Sequence, residues 1–229
     1  MHTVTRTSAP AWATPLALGG PVAVFLAILA LHAIKPEYHP SWRFISEYAI
    51  GPWGWVMKLT FVAWAVSCAT LAVAARPEVH NRRGRAGVVL LWIVAAALIV
   101  AGIFPQDPVT AQPSEATTAG MMHAMASMIG IPGIPIAAML ITSGLQAGRR
   151  DSGTLPVGLR ASAHATWLSL LLMVLYLMWQ IPRSGGFTAE VWAGWMNRLV
   201  VSAYLIWQLL LARHLARRTR AGESPSPSH

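Results

Sequence analysis

The sequence predicts an all-α polytopic membrane bundle of six transmembrane helices, with both termini in the cytoplasm. Three observations predict it. Charged residues make up only 11% of the chain and hydrophobic residues 55%, whereas a soluble domain carries about 25% charged residues. Six apolar runs each approach or exceed the roughly 20 residues needed to cross a hydrocarbon core. The arginines cluster in alternate loops between those runs.

The spans are read in chain order. The first, Leu16–Ile34, stops at Lys35-Pro36. Its run is long and no small-x-small site precedes Lys35, so it is not expected to be a cleaved signal. The second, Trp53–Ala75, stops at Arg76-Pro77, and the third, Gly87–Phe104, stops at Pro105. The fourth, Thr118–Leu145, ends before Gly148-Arg149-Arg150. The fifth, Ala161–Ile181, ends at Pro182-Arg183-Ser184-Gly185-Gly186, and the sixth is Trp192–Ala212. Proline and glycine punctuate each exit. Three regions result: a cytoplasmic segment 1–14, a transmembrane domain 15–212, and a basic, then disordered, cytoplasmic tail 213–229.

The fourth span carries Gly130-Ile131-Pro132-Gly133-Ile134-Pro135. Proline lacks a donor and clashes with the preceding turn, so a kink is expected there. The carbonyls it frees need other partners. Irregular backbone at membrane depth is tolerated where protein or a watery cavity covers it.

Charge sets the expected orientation. Twelve of the 17 basic residues fall in one set of loops and tails: Arg6, Arg76, Arg82, Arg83, Arg85, Arg149, Arg150, Arg160, Arg213, Arg217, Arg218 and Arg220. The opposite loops hold Lys35, Arg43 and Arg183, with five of the eight acids: Glu37, Glu47, Asp107, Glu115 and Glu190. The basic set is expected inside, at the plasma membrane's cytoplasmic face, against anionic lipids. The net charge of +9 is thereby explained without nucleic acid as a partner. Trp42, Trp53, Trp55, Trp192 and Trp195 suit an interfacial belt on the outer side.

The outer loops are chemically richer than the inner ones. Glu47 and Asp107 sit at loop ends, and Lys58, His123 and Arg198 lie about one and a half turns inside spans two, four and six. Charges at that depth usually face the bundle interior and find partners. We therefore expect an outer-leaflet cluster of Glu47, Lys58, Asp107, His123 and Arg198, with Ser46 and Asn197 beside it. The plainer alternative has Lys58 and Arg198 snorkelling to headgroups and Glu47 only capping span two. Phe44-x-x-Glu47 before Gly54-Trp55-x-x-Lys58 resembles Phe187-x-x-Glu190 before Gly194-Trp195-x-x-Arg198, a likeness short enough for convergence.

Met121, Met122, Met125 and Met128 around His123 raise Cu(I) as a minor alternative. His32, His123, His164 and His214 fall at two depths and raise haem. Neither pattern is specific, so no metal and no cofactor is assigned. Cys68 is a lone cysteine in an apolar run. No zinc spacing, nucleophile elbow or phosphate loop is present.

Ile-Ser-Glu-Tyr-Ala-Ile-Gly-Pro-Trp-Gly-Trp (45–55), Ala-Gly-Ile-Phe-Pro-Gln-Asp-Pro (101–108), His123 and Gly194-Trp195-Met196-Asn197-Arg198-Leu199 together resemble a prokaryotic integral membrane family catalogued as domain of unknown function 998. The resemblance covers about residues 15–212. It maps the family's polar signature onto Ser46, Glu47, Phe104 to Asp107, His123 and Arg198, and it leaves Lys58 unmatched. It implies a membrane fold and no particular activity.

Two functions remain open at this level. One is a non-enzymatic module that binds a lipid-like ligand at the outer leaflet, carries a small solute or assembles with another protein. The binding residues would be Ser46, Glu47, Asp107, His123, Asn197 and Arg198. The other is an enzyme acting on a lipid-like substrate. Glu47 or Asp107 would then be the base, His123 its acid–base partner and Arg198 an anion clamp.

Overall fold

The computed structural model describes residues 9–148 and 154–223. The expected segment 1–8, the Arg149-Arg150 pair and the final tail residues 224–229 lie outside the described residues. Six helices, and no strand among the described residues, make up the fold: α1 Ala13–Ile34, α2 Gly54–Ala75, α3 Arg82–Ile103, α4 Thr118–Ala147, α5 Val157–Ser184 and α6 Ala193–Glu223. All six are long and apolar enough to cross a membrane. At 1.5 Å per residue the shortest, of 22 residues, is about 33 Å long, matching a core of about 30 Å. The sequence spans are recovered with ends moved by a few residues. The larger difference is α6, which continues past Ala212, where the apolar run ends, to Glu223. Arg218 on that extension pairs with Glu78 in the α2–α3 loop at 3.1 Å.

Each helix packs on the next, α6 closes the ring onto α1, and α6 also meets α2 and α4. Hydrocarbon offers no hydrophobic drive between helices, so close approach through small residues matters. A Cβ on Gly144 would lie 2.6 Å from Cα of Gly84, and one on Gly20 would lie 2.5 Å from Cβ of Ser67. The α3–α4 contact is also tied by Asn81. Its side chain accepts the Gly84 N–H at 2.9 Å, capping α3, and donates to the Gly144 carbonyl at 2.7 Å.

Helix α4 runs continuously through Pro132 and Pro135. Pro135 cannot donate to the carbonyl four residues earlier, that of Ile131. The hydroxyl of Tyr204 on α6 donates to that carbonyl at 2.7 Å. The proline thus creates an acceptor inside the bundle and α6 supplies the donor. A second buried polar link lies deeper: the Trp64 indole donates to Oε1 of Gln208 at 3.2 Å, and Nε2 of Gln208 meets Sγ of Cys68 at 3.5 Å.

Tyr204→Phe should lower unfolding stability in detergent by roughly 1 kcal/mol, the scale of interhelical hydrogen bonds in membranes. Combined with Pro135→Ala, which restores the backbone donor, Tyr204→Phe should cost measurably less. A double-mutant cycle of thermal melts checks the coupling, and strict additivity would refute it.

Candidate functional site

One end of the bundle, opposite the arginine-rich loops, carries a folded cap made by residues 35–53 and 104–117. Gly194 is what lets the cap sit on α6. A Cβ there would lie 2.3 Å from the Pro40 carbonyl oxygen, and the Trp195 N–H donates to the Ser41 carbonyl at 3.1 Å. One turn further, Arg198 is 8% exposed. Its Nε donates to Nε2 of His32 at 2.8 Å. Nη1 donates to the carbonyls of Arg43 at 2.8 Å and Gly194 at 3.1 Å, and Nη2 donates to the Tyr48 hydroxyl at 2.9 Å. Nδ1 of His32 meets the Ile28 carbonyl at 2.6 Å. That bond puts the His32 proton on Nδ1 and leaves Nε2 to accept.

The cluster expected from sequence is therefore wired differently. Among the described residues no carboxylate lies within 4 Å of Arg198 or Lys58. Glu47, fully buried in the 3₁₀ turn Ile45–Ala49, accepts backbone N–H groups instead. Oε2 takes Phe44 at 2.8 Å and Oε1 takes Val109 at 3.0 Å. Arg43 supplies the cation, with Nε 3.3 Å from Oε1. That contact is ionic, because Nε has no aligned acceptor. Burial pushes the Glu47 carboxyl above its ordinary value, against the lowering by the Val109 N–H, Arg43 and the Phe44 N–H. Asp107 accepts both the N–H of Thr117 at 2.9 Å and its hydroxyl at 2.7 Å. Thr117 in turn caps α4 through the Gly120 N–H at 3.0 Å. Those two bonds from Thr117 hold the Asp107 carboxyl below its usual range. Gly120 makes room for this carboxyl, since a Cβ there would fall 2.0 Å from Oδ2.

Sequence reasoning treated Lys35 as a plain loop charge. It is 1% exposed, donates to the carbonyls of Tyr48 and Ile50, and lies 3.7 Å from Glu37 and over the Tyr38 ring. Burial lowers its pKa. Lys58 stands apart. It lines a separate surface cleft of about 400 Å³ with Trp55, Gln106 and Asp107.

Beneath the cap, inside the bundle, is a cavity of about 90 Å³. Ile45 and Ser46 form its roof, Phe61 and Trp64 of α2 one wall, and Gly130, Ile131 and Ile134 of α4 another, with Asn197 and Tyr204 of α6 opposite. His123 reaches this cavity and is 3% exposed. Its Nδ1 lies 2.9 Å from the Phe104 carbonyl and 3.2 Å from that of Ala101, at the end of α3. Helix-terminal carbonyls lack intrahelical donors, and His123 supplies one. Gly130 is buried, and a Cβ added there would meet nothing within 4 Å.

Of the residues singled out from sequence, Ser46, His123 and Asn197 meet at the cavity. Asn197 accepts the Ile45 N–H at 3.0 Å, and the Ser46 hydroxyl donates to Gln106. Glu47, Asp107 and Arg198 build the cap around it. Phe61, Trp64 and Tyr204 were missed. Only Tyr204 had a sequence signal, the donorless Pro135 one helix away. The metal alternatives lose their geometry. Met121, Met125 and Met128 are exposed while His123 is buried, so they occupy different faces of α4. His32 has both ring nitrogens engaged, and His164 is exposed.

A family model described as a protein of unknown function, DUF998, matches residues 17–214. The chain belongs to this family. No curated protein and no solved structure matches it. The DUF998 match reaches into every helix and covers both halves of the cap, so the Arg198 and Glu47 networks lie wholly inside the family region.

Glu47→Ala would strand two backbone donors and Arg43, and should cost about 3–5 kcal/mol, the range for breaking one side of a buried pair. Arg198→Lys should be nearly as damaging as Arg198→Ala, because an ammonium cannot reach four acceptors held in a fork. Melting of the detergent-extracted variants measures both. A near-native melt for Arg198→Lys would contradict the fork.

Proposed function

We propose that this membrane protein is a non-enzymatic module that holds an apolar or lipid-like molecule in the cavity beneath its cap. The observation that carries the reading is the division of labour among polar groups. Glu47, Asp107 and Arg198 spend their hydrogen bonds on backbone and cap side chains, while the cavity below is lined mainly by apolar residues. Ligand sites in proteins are typically apolar with a few placed polar groups. The acid–base enzyme read from the sequence would use Glu47 or Asp107 as its base, and neither lines this cavity.

The same reading puts the cap at the outer leaflet and the arginine-rich end, with both termini, in the cytoplasm of the cell membrane against anionic lipids. A reporter inserted after Asp107 should be active only outside the cytoplasm. Cytoplasmic activity would invert the topology and overturn that part of the reading.

Gly130→Phe aims a ring at open cavity space, so it should fold and melt like the wild type while displacing the occupant. Native mass spectrometry of protein extracted from its membrane should show a bound lipid-like mass that Gly130→Phe lacks. Identical bound species on both proteins would sink the proposal.

A further inference from the structure

We infer that the cavity selects an amphiphile with an uncharged hydroxyl head, whose O–H donates to Nε2 of His123 and whose oxygen accepts from the side-chain amide of Asn197. This rests on the ligand-binding reading above and adds the chemistry of the head.

Two side chains fix that chemistry. Nδ1 of His123 faces two carbonyl oxygens, of Phe104 and Ala101, so Nδ1 must carry a proton. In the neutral ring Nε2 is then an acceptor. It bonds to no described residue, and the imidazole is almost completely buried at the cavity wall. Asn197 is oriented just as firmly. Its Oδ1 accepts the Ile45 backbone N–H at 3.0 Å, which assigns the other terminal atom as Nδ2. Those two N–H donors likewise have no partner among the described residues, and Asn197 lines the same cavity.

The remaining polar capacity of the cavity is therefore an acceptor at His123 and a donor at Asn197, together with the Ser127 hydroxyl, which also lines the cavity and bonds to no other described residue. A hydroxyl satisfies both at once, since it donates one proton and accepts on its oxygen. A phosphate or ionised carboxylate offers no proton to Nε2. It would also enter a cavity with no cation in its wall, because Arg198 and Lys58 are not among the lining residues. Unpaired charge at that depth is costly. A quaternary amine fails for the opposite reason: it has no donor for Nε2 and no carboxylate to meet.

Access has a direction as well. The lining residues of α2 and α3 are buried, whereas Ser127, Ile131, Asn197 and Val201 are half-buried. All four belong to α4 and α6, and the one other half-buried lining residue, Ser46, lies in the roof, so a chain trailing from the cavity into the bilayer leaves between those helices.

The test uses the full chain in lipid nanodiscs with four photoreactive probes sharing one long alkyl chain and a diazirine near the head: a primary alcohol, the alkane, the carboxylate and the trimethylammonium. Labelled peptides are mapped by mass spectrometry. At equal bilayer concentration the alcohol should label α4 and α6 residues of the cavity about tenfold more than the alkane, as two neutral hydrogen bonds imply. The two ionic probes should not exceed the alkane, and Gly130→Phe should abolish the signal. Equal labelling by alcohol and alkane would overturn the head assignment and leave the apolar site intact. Stronger labelling by an ionic probe would overturn the uncharged head. No cavity labelling by any probe would overturn both readings and leave a cavity that holds only water.

Discussion

The cap, and with it the roof of the cavity, depends on one buried guanidinium. Arg198 bonds to His32 at the end of α1, to the loop at Arg43, to Tyr48 in the 3₁₀ turn, and to its own helix at Gly194. Three of the four acceptors lie far from Arg198 in sequence, at the end of α1 and in the loop that follows it, and each is neutral. A carboxylate partner would cancel the charge but join only one segment. Carbonyl, phenol and imidazole acceptors disperse the charge over the whole cap while fixing its position. His32 takes part only as the neutral ring, because a protonated Nε2 would face the Arg198 N–H with no lone pair to offer.

Glu47 completes the arrangement from the other side. It joins the 3₁₀ turn to the α3–α4 loop through the Val109 N–H, as Asn197 joins that turn to α6 through the Ile45 N–H. Backbone that leaves helical geometry near lipid must find donors and acceptors within the protein. Here Lys35, Glu47, Asp107 and Glu115 serve that need, while Glu37 and Arg43 pair with Lys35 and Glu47. Lys35 does so for the carbonyls of Tyr48 and Ile50, and Asp107 does so for the start of α4. The cap is a set of loops held by charges that bond backbone groups as well as one another.

That rule explains what the sequence could and could not show. Helix number and approximate ends follow from composition and length, because crossing hydrocarbon leaves few alternatives. That Glu47, His123 and Arg198 would be buried and partnered was also legible, since ionisable residues at that depth are costly without partners. Their pairing was not legible. Opposite charges invite the expectation that Arg198 meets Glu47, but the rotation of α6 against α1 presents Arg198 to His32 and to carbonyls, which carry no residue signature. The burial of Lys35 stayed hidden for the same reason: its partners are backbone oxygens. Tyr204 marks the intermediate case. Pro135 shows in the sequence that an acceptor is freed, and only the packing of α6 on α4 shows which donor arrives.

The cavity beneath this cap is itself a departure from the packing around it. Elsewhere the helices approach until a single Cβ would collide, as at Gly144 against Gly84. At Gly130 the backbone is buried yet the space beside it is open. A void of about 90 Å³ forfeits stability on the order of 2 kcal/mol by the usual cavity relation. One larger side chain at position 130 would recover part of that. A fold that packs to contact at the α1–α2 and α3–α4 crossings is not short of small or large residues, which supports reading the opening as room for the proposed occupant. Its position matches that purpose: it lies where the rigid polar cap ends and the apolar bundle begins, which is where an amphiphile changes from head to chain.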